Sequence, residues 1–213
     1  MDEKIYIHGI CVRHYKQYQS MYLRKILKQI LKSDAVLSTR MQHKPSNQGF
    51  NGPDYISLCD YEKRFLFPKE DSKYNSFETY IRYSIGLVFP KDKIQVITPT
   101  IIDMIHYTKN GYQKMAFLGE SPDERYSDML DEVQVKDKIP LELLSCITLP
   151  IHSMDLKIYK EKKSIDKVIS EIEKVRKLLD LYGYSVPIYD IDTFEDLENY
   201  HNVKRLIRKN RGY

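Results

Sequence analysis

Two short segments carry the residue types that could do chemistry on a nucleotide. IYIHGI (residues 5–10) places His8 and Gly9 at the end of an apolar run, and DEVQV (131–135) places Glu132 at the start of another. A histidine can donate a hydrogen bond to a sugar hydroxyl. Gly9, without a side chain, lets a ligand approach the backbone closely. A carboxylate can steady a positive charge that develops during reaction. A His and a Glu on separate strands, with polar and aromatic residues between them, suit a nucleotide cleft. Each residue also has a plainer reading. His8 is otherwise a satisfied structural histidine, and Glu132 an edge-strand carboxylate in solvent. Asp131 competes with Glu132 and lies on the opposite face of the same strand.

Further candidates lie between these segments. In DYISLCDY (54–61), alternation puts Tyr55 and Ser57 on one face and Ile56 and Leu58 on the other. Tyr80 and Tyr83 are three residues apart, so on a helix they share a face. That pair reads either as core or as a stacking surface for a flat ring. In EVQV, Glu132 and Gln134 share a face, which leaves Val133 and Val135 towards the core.

These residues need strands and helices to hold them. Residues 4–10 read as a strand, and 22–31 as a helix with Leu23, Ile26, Leu27, Ile30 and Leu31 on one face. Residues 36–41, 54–61, 115–118, 132–135, 146–149 and 186–191 read as strands. Ile85–Phe89 and Ile94–Ile97, separated by PKDK, read as a hairpin. HKPSNQGFNGP (43–53) and GESPDER (119–125) are loops, residues 64–76 are irregular, and residues 77–84 suit a helical turn. Pro140 can open another turn over 140–144. The clearest helix spans 164–182, with Ser164 to cap it and Gly183 to stop it. Strand, helix, a run of strands, helix and short strand is an α+β order, not βαβ alternation. Neither a G-x-G-x-x-G nor a P-loop motif is present, which leaves the common Rossmann and P-loop modes unsupported.

Composition narrows the class. The 213 residues are 42% apolar and 30% charged, enough for a buried core in a soluble domain. No run approaches the roughly 18 apolar residues of a membrane span. The first residues lack the build of a signal peptide. Cys11, Cys59 and Cys146 are scattered without metal-site spacing, which fits a reducing cytosol and no metal. The expectation is a cytoplasmic protein with no membrane partner; secretion by a route without a cleaved signal stays open. The net charge of +4 leans weakly towards anionic partners. VKRLIRKNR (203–211) is either a solvated basic end or a phosphate-contacting element. On a helix, Lys204, Arg205 and Arg208 would share a face and contact nucleic acid.

Taken in order, His8-Gly9, ILKSDAVLS (30–38), YISL (55–58) and DEVQV (131–135) resemble the motif series of the ADP-ribosyltransferase superfamily. EVQVKDKIPLELLSCI (132–147) is similar to the last conserved stretch of that family, its DarT-like toxin branch included. The resemblance spans about residues 5–150. Asp34 stands where the family has glycine, and no segment matches the arginine motif with which the DarT branch selects its target.

The resemblance implies a split, mixed or antiparallel β-sheet core with flanking helices. It implies an ADP-ribosyltransferase-like core over 1–150 and a C-terminal helical extension over 151–213, packed on it as one domain. The implied activity is transfer of ADP-ribose from NAD+ to a protein or nucleic-acid acceptor. Glu132 would be catalytic and His8 and Gly9 would hold the adenine-side ribose. Tyr55 or Ser57 would position the nicotinamide ribose, and Tyr80 or Tyr83 would stack on nicotinamide. Proteins of this kind serve as toxins, effectors or regulators, which brings in an antitoxin or regulatory partner. Two alternatives stand beside it. One is a noncatalytic nucleic-acid or protein interaction module using the basic C-terminus. The other is a different enzyme on the same scaffold, an NAD+ glycohydrolase or an RNA 2′-phosphotransferase.

Overall fold

A computed structural model describes residues 4–10, 20–38, 40–42, 54–62, 84–97, 103–108, 111–116, 132–154 and 165–211. The chain forms two compact units interleaved along the sequence. Unit 1 takes residues 1–8, 35–79 and 89–143; unit 2 takes 9–34, 80–88 and 144–213. The expected extension over 151–213 is therefore one part of a unit that also draws on two earlier segments. The boundaries fall inside two strands, β1 (Ile5–Ile10) after His8 and β4 (Ile85–Pro90) after Val88.

Unit 1 is built on strand pairing. β3 (Tyr55–Asp60) is the middle strand, antiparallel to β1 on one side and to β7 (Glu132–Lys136) on the other. A short ribbon joins β2 (Ala35–Leu37) to β8 (Lys138–Pro140), and β5 (Asp103–Thr108) pairs with β6 (Gly111–Ala116) as a hairpin. Asp137, at φ 62°, is the single residue between β7 and β8. Ile7, Leu58 and Cys59 are fully buried.

Unit 2 is built on helical periodicity. α1 (Ser20–Ser33) buries Leu23, Leu27 and Leu31 at four-residue spacing. α2 (Ile165–Leu181) buries Val168, Ile172, Val175 and Leu179 and packs against α1. Gly183, at φ +81°, stops α2 as expected; the Tyr184 N–H returns to the Leu179 carbonyl at 3.0 Å. α3 (Tyr200–Asn210) is capped by Asn199, whose side chain accepts from the His201 N–H, and buries Val203, Leu206 and Ile207. β9 (Cys146–Leu149) pairs antiparallel with β4 and parallel with β10 (Ile188–Asp190). Each fully buried Leu or Ile here is worth about 1.5–3 kcal/mol.

The expected hairpin of Ile85–Phe89 with Ile94–Ile97 does not form. β4 pairs with β9, and Ile97 bridges Gln134 of β7. PKDK is the reason: Lys91–Lys93 is a 3-10 turn, and the Lys91 N–H is held by the Lys4 carbonyl at 2.9 Å. The basic C-terminal run lies on helix α3. The fold is α+β.

α1 ends at the residue where the resemblance put a departure. Asp34 has φ 53°, in the left-handed region that favours glycine. The Tyr184 hydroxyl donates to the Asp34 carboxylate, so the side chain that costs backbone freedom gains a partner.

Candidate functional site

The frame β1–β3–β7 carries most of the candidate residues. The β1–β3 register runs Tyr6 opposite Asp60 and Ile7 opposite Cys59. The β3–β7 register runs from Cys59 opposite Glu132 to Tyr55 opposite Lys136. Two consequences follow for the site. His8 and Glu132 do not lie on neighbouring strands, because β3 lies between them. Glu132 belongs to the cross-strand row Ile7–Cys59–Glu132, and His8 lies one residue beyond that row.

The next contact after Ile7 is made by a ring. The half-buried His8 places Nδ1 3.0 Å from the Ser57 carbonyl oxygen. A carbonyl only accepts, so Nδ1 carries the hydrogen. Burial pushes the His8 pKa below the usual histidine value, and the Ser57 carbonyl only partly opposes this. The ring is therefore neutral near pH 7, and Nε2 is a lone-pair acceptor. This corrects the donor role expected for His8. Its one hydrogen is committed to β3, so at neutral pH the ring can receive a hydrogen bond from a hydroxyl but not give one.

Tyr55 and Ser57 are half-buried, while Ile56 and Leu58 are buried. On β7 the expected burial is reversed. Gln134 is only 1% exposed, whereas Val133 and Val135, expected in the core, are both half-buried. Gln134 is held on both flanks, opposite Ser57 on β3 and bridged to Ile97 on the other side, with backbone bonds to Ile97 of 2.8 and 3.0 Å. The strand-edge position expected for β7 is thus partly closed at this residue. Gly9 follows His8 in extended backbone within β1. Asp131, Tyr80 and Tyr83 lie outside the described residues.

One cluster in this unit had no signal in the sequence. The Lys91 ammonium lies 2.5 Å from the Asp60 carboxylate, 2.6 Å from that of Glu62 and 5.3 Å from the centre of the Tyr6 ring. Burial works against the Lys91 charge, but the bonds to Asp60 and Glu62 carry its pKa upward. Burial likewise raises the Tyr6 hydroxyl, with Asp60 adding to it. Thirty-one positions separate Asp60 from Lys91, so no local pattern could have joined them. The group sets one cation between two carboxylates and reads as a clamp between β1, the end of β3 and the Lys91 turn.

In unit 2, Lys204, Arg205 and Arg208 are exposed on α3, as the helical spacing predicts. Arg205 is ion-paired with Glu195. Among the described residues, no group of three or more His, Cys, Asp or Glu gathers where it could hold a metal ion, and no helix is long and apolar enough to cross a membrane.

Neither a protein-family model nor a curated protein sequence matches the chain. Among solved structures, the fold is similar to that of Thermus sp. 2.9 DarT in complex with NAD+, at 16% identity over 75% of this chain and 89% of that one, with a TM-score of 0.34. It is similar in the same degree to Thermus sp. 2.9 DarT in complex with ADP-ribosylated single-stranded DNA, at 14% identity over 75% and 88% of the two chains, with a TM-score of 0.34.

Proposed function

We propose that the chain transfers ADP-ribose from NAD+ to a macromolecular acceptor, with Glu132 as the catalytic carboxylate. The observation that best supports this reading is the His8–Ser57 hydrogen bond. It fixes a neutral imidazole at the end of β1 with one acceptor nitrogen left over. A ribose hydroxyl is a donor that suits that nitrogen. Gly9 allows close approach of the same ribose, and Tyr55 or Ser57 on β3 positions the second one. Tyr80 or Tyr83 supplies a ring to stack on nicotinamide.

In the proposed reaction the bond between the anomeric carbon and nicotinamide breaks, and nicotinamide leaves with the electron pair. The acceptor's nucleophile then bonds to that carbon and loses its proton. Positive charge on the ribose peaks between the two events. A carboxylate at Glu132 stabilises that charge and costs nothing to reorganise at the moment of reaction. No metal is needed for such a step. In a cell, a toxin or effector of this type acts in the cytoplasm, where NAD+ is found, and calls for an antitoxin or regulatory partner.

Release of labelled nicotinamide from NAD+, measured with and without cell extract as acceptor, tests the reading. The wild-type chain should release nicotinamide and label an acceptor, while Glu132→Gln should retain NAD+ and do neither. Absence of release from the wild-type chain under both conditions would remove the enzymatic reading. The cationic face of α3 favours a second reading in that event, a noncatalytic interaction module.

A further inference from the structure

Gln134 is a polar residue that β7 hides. It is 1% exposed, while Val133 and Val135 on either side of it are half-buried. Hydrophobicity alone would bury the valines and expose the glutamine. An amide shut away from water is costly unless its hydrogen bonds are met. The backbone shows how the position is held. The Ile97 N–H donates to the Gln134 carbonyl at 2.8 Å, and the Gln134 N–H donates to the Ile97 carbonyl at 3.0 Å. Both main-chain groups of Gln134 therefore point away from β3. Its pairing with Ser57 is then of the non-hydrogen-bonded kind, with Cα atoms about 4.5 Å apart and side chains close together. By the same rule the Ser57 carbonyl turns to β1, and there it accepts from His8.

Strand parity puts Glu132 on the same face of β7 as Gln134, two residues back and about 6.5–7 Å along the strand. Its cross-strand neighbours on that face are Cys59 and, beyond it, Ile7, both 0% exposed. Ile7 has no polar side-chain group, and a thiol is a weak donor. Ser57 lies on the diagonal, about 7–8 Å away, with a side chain too short to span that gap. Among the described residues adjoining position 132 on this face, Gln134 is the one with the reach and the N–H to give. The residue type also suits the task. An amide donates to a carboxylate without cancelling its charge, as lysine or arginine would, and leaves the field of that charge to act on a developing cation. Burial, the β3 pairing and the two Ile97 bonds restrict Gln134, and such restriction is what holds a reacting group in place.

We propose that Gln134 is a positioning residue for Glu132, its buried side-chain amide donating to the Glu132 carboxylate and fixing that group for reaction. The proposal rests on the ADP-ribosyl transfer reading for the role of Glu132; the pairing itself rests on the register of β7.

The test is carbon-13 NMR of the full chain, labelled at the glutamate side-chain carboxyl and titrated from neutral to acid pH. Glu132→Gln identifies the Glu132 signal by its loss. Gln134→Met keeps an unbranched side chain of similar length and removes the amide. In Gln134→Met the Glu132 midpoint should rise by about one pH unit, because a donor to the charged form is gone. Nicotinamide release should fall about 10–100-fold in kcat, with KM for NAD+ changed less than about threefold. The acid limb of the kcat profile should move up with the midpoint. In the wild-type chain the Gln134 side-chain NH2 resonances should follow the Glu132 titration, a readout that does not depend on how well the variant folds. An unshifted Glu132 midpoint, or wild-type amide resonances indifferent to it, overturns the proposal. So does a loss of kcat with no movement of the acid limb, which is what a purely structural glutamine would give. A coupled titration in a chain that releases no nicotinamide defeats the transfer reading alone, and release without coupling defeats this one alone.

Discussion

The polar groups around β1 and β3 are closed on one another, whereas those on α3 are left open. Lys91 is saturated by Asp60 and Glu62, and His8 gives its single hydrogen to Ser57 and is neutral. α3 instead carries a row of cations whose nearby acids serve other partners. Closed groups of this kind meet a ligand through the direction of a few hydrogen bonds. A cationic helix face attracts anions through net charge, at longer range and with little geometric demand. Salt separates the two modes: ions screen the α3 face strongly and leave a neutral, partly buried imidazole almost untouched. Small-molecule turnover and polymer binding should accordingly respond to salt in different degrees.

The largest effect expected concerns the frame. Glu132→Gln should lower nicotinamide release by about 10²–10³-fold, the usual loss when a group that stabilises transition-state charge is removed. The apparent affinity for NAD+ should change far less, because the neutral amide keeps the size of the side chain. Undiminished turnover in this variant would shift the catalytic role to another carboxylate, Asp131 first, and the frame would lose its reacting group.

A second effect tests the closed charges of unit 2. The Arg24 guanidinium pairs with Glu171, whose side chain is only 8% exposed, and joins α1 to α2. Arg24→Met removes the guanidinium partner of that carboxylate. A fully buried pair broken on one side costs about 3–5 kcal/mol; the 24% exposure of Arg24 admits water and brings the expected loss to about 2 kcal/mol. The midpoint of urea unfolding measures it. Adding Glu171→Gln should recover much of the loss if the buried charge outweighs the missing bond. If the double variant is no better than the single one, packing by the Arg24 stem is the larger contribution.

The third expectation is pH dependence in the frame. His8 has a folded pKa below its unfolded value of 6.5, so between those two values the unfolded chain binds the proton more readily than the folded one. Its contribution to stability is fully present above pH 6.5 and is lost as pH falls towards the folded value. His8→Gln should flatten this part of the stability profile. The same protonation turns Nε2 from acceptor to donor, so NAD+ affinity should fall over the same window in the wild-type chain.

The two regions also differ in how far the sequence revealed them. α1 and α2 follow from leucines, isoleucines and valines three and four residues apart, a purely local signal, and Gly183 marks the end of α2 by its position alone. The strands of the frame were visible as apolar runs, but their partners were not. Ile85–Phe89 looked like one arm of a hairpin, yet it pairs with residues some sixty positions away because PKDK turns towards Lys4, Asp60 and Glu62 instead. The burial of Gln134 arose from the same cause, a bridge from Ile97 that periodicity within β7 cannot report. For the site, the candidate histidine was legible but its polarity was not. That depends on the Ser57 carbonyl, 49 residues distant.

The smallest effect concerns Asp34, where a local preference and a distant contact oppose one another. A left-handed residue other than glycine costs roughly 1–2 kcal/mol, less for Asp than for most. The Tyr184 hydroxyl returns part of that through its bond to the Asp34 carboxylate, and burial followed by this bond raises the Tyr184 pKa well above its usual value. Asp34→Gly removes the strain and the bond together, so its stability should lie within about 1 kcal/mol of wild type. Asp34→Ala keeps the strain and loses the bond, and should be destabilised by about 1–2 kcal/mol. Tyr184→Phe separates the two contributions: it should cost about 1 kcal/mol in the wild-type chain and nearly nothing in the Asp34→Gly variant. A full double-mutant cycle by thermal melting reads the coupling directly. No coupling between positions 34 and 184 would mean that Asp34 is simply tolerated at the end of α1. A coupling near 1 kcal/mol would mean that a tyrosine from beyond α2 holds open a backbone conformation for which glycine is the ordinary solution.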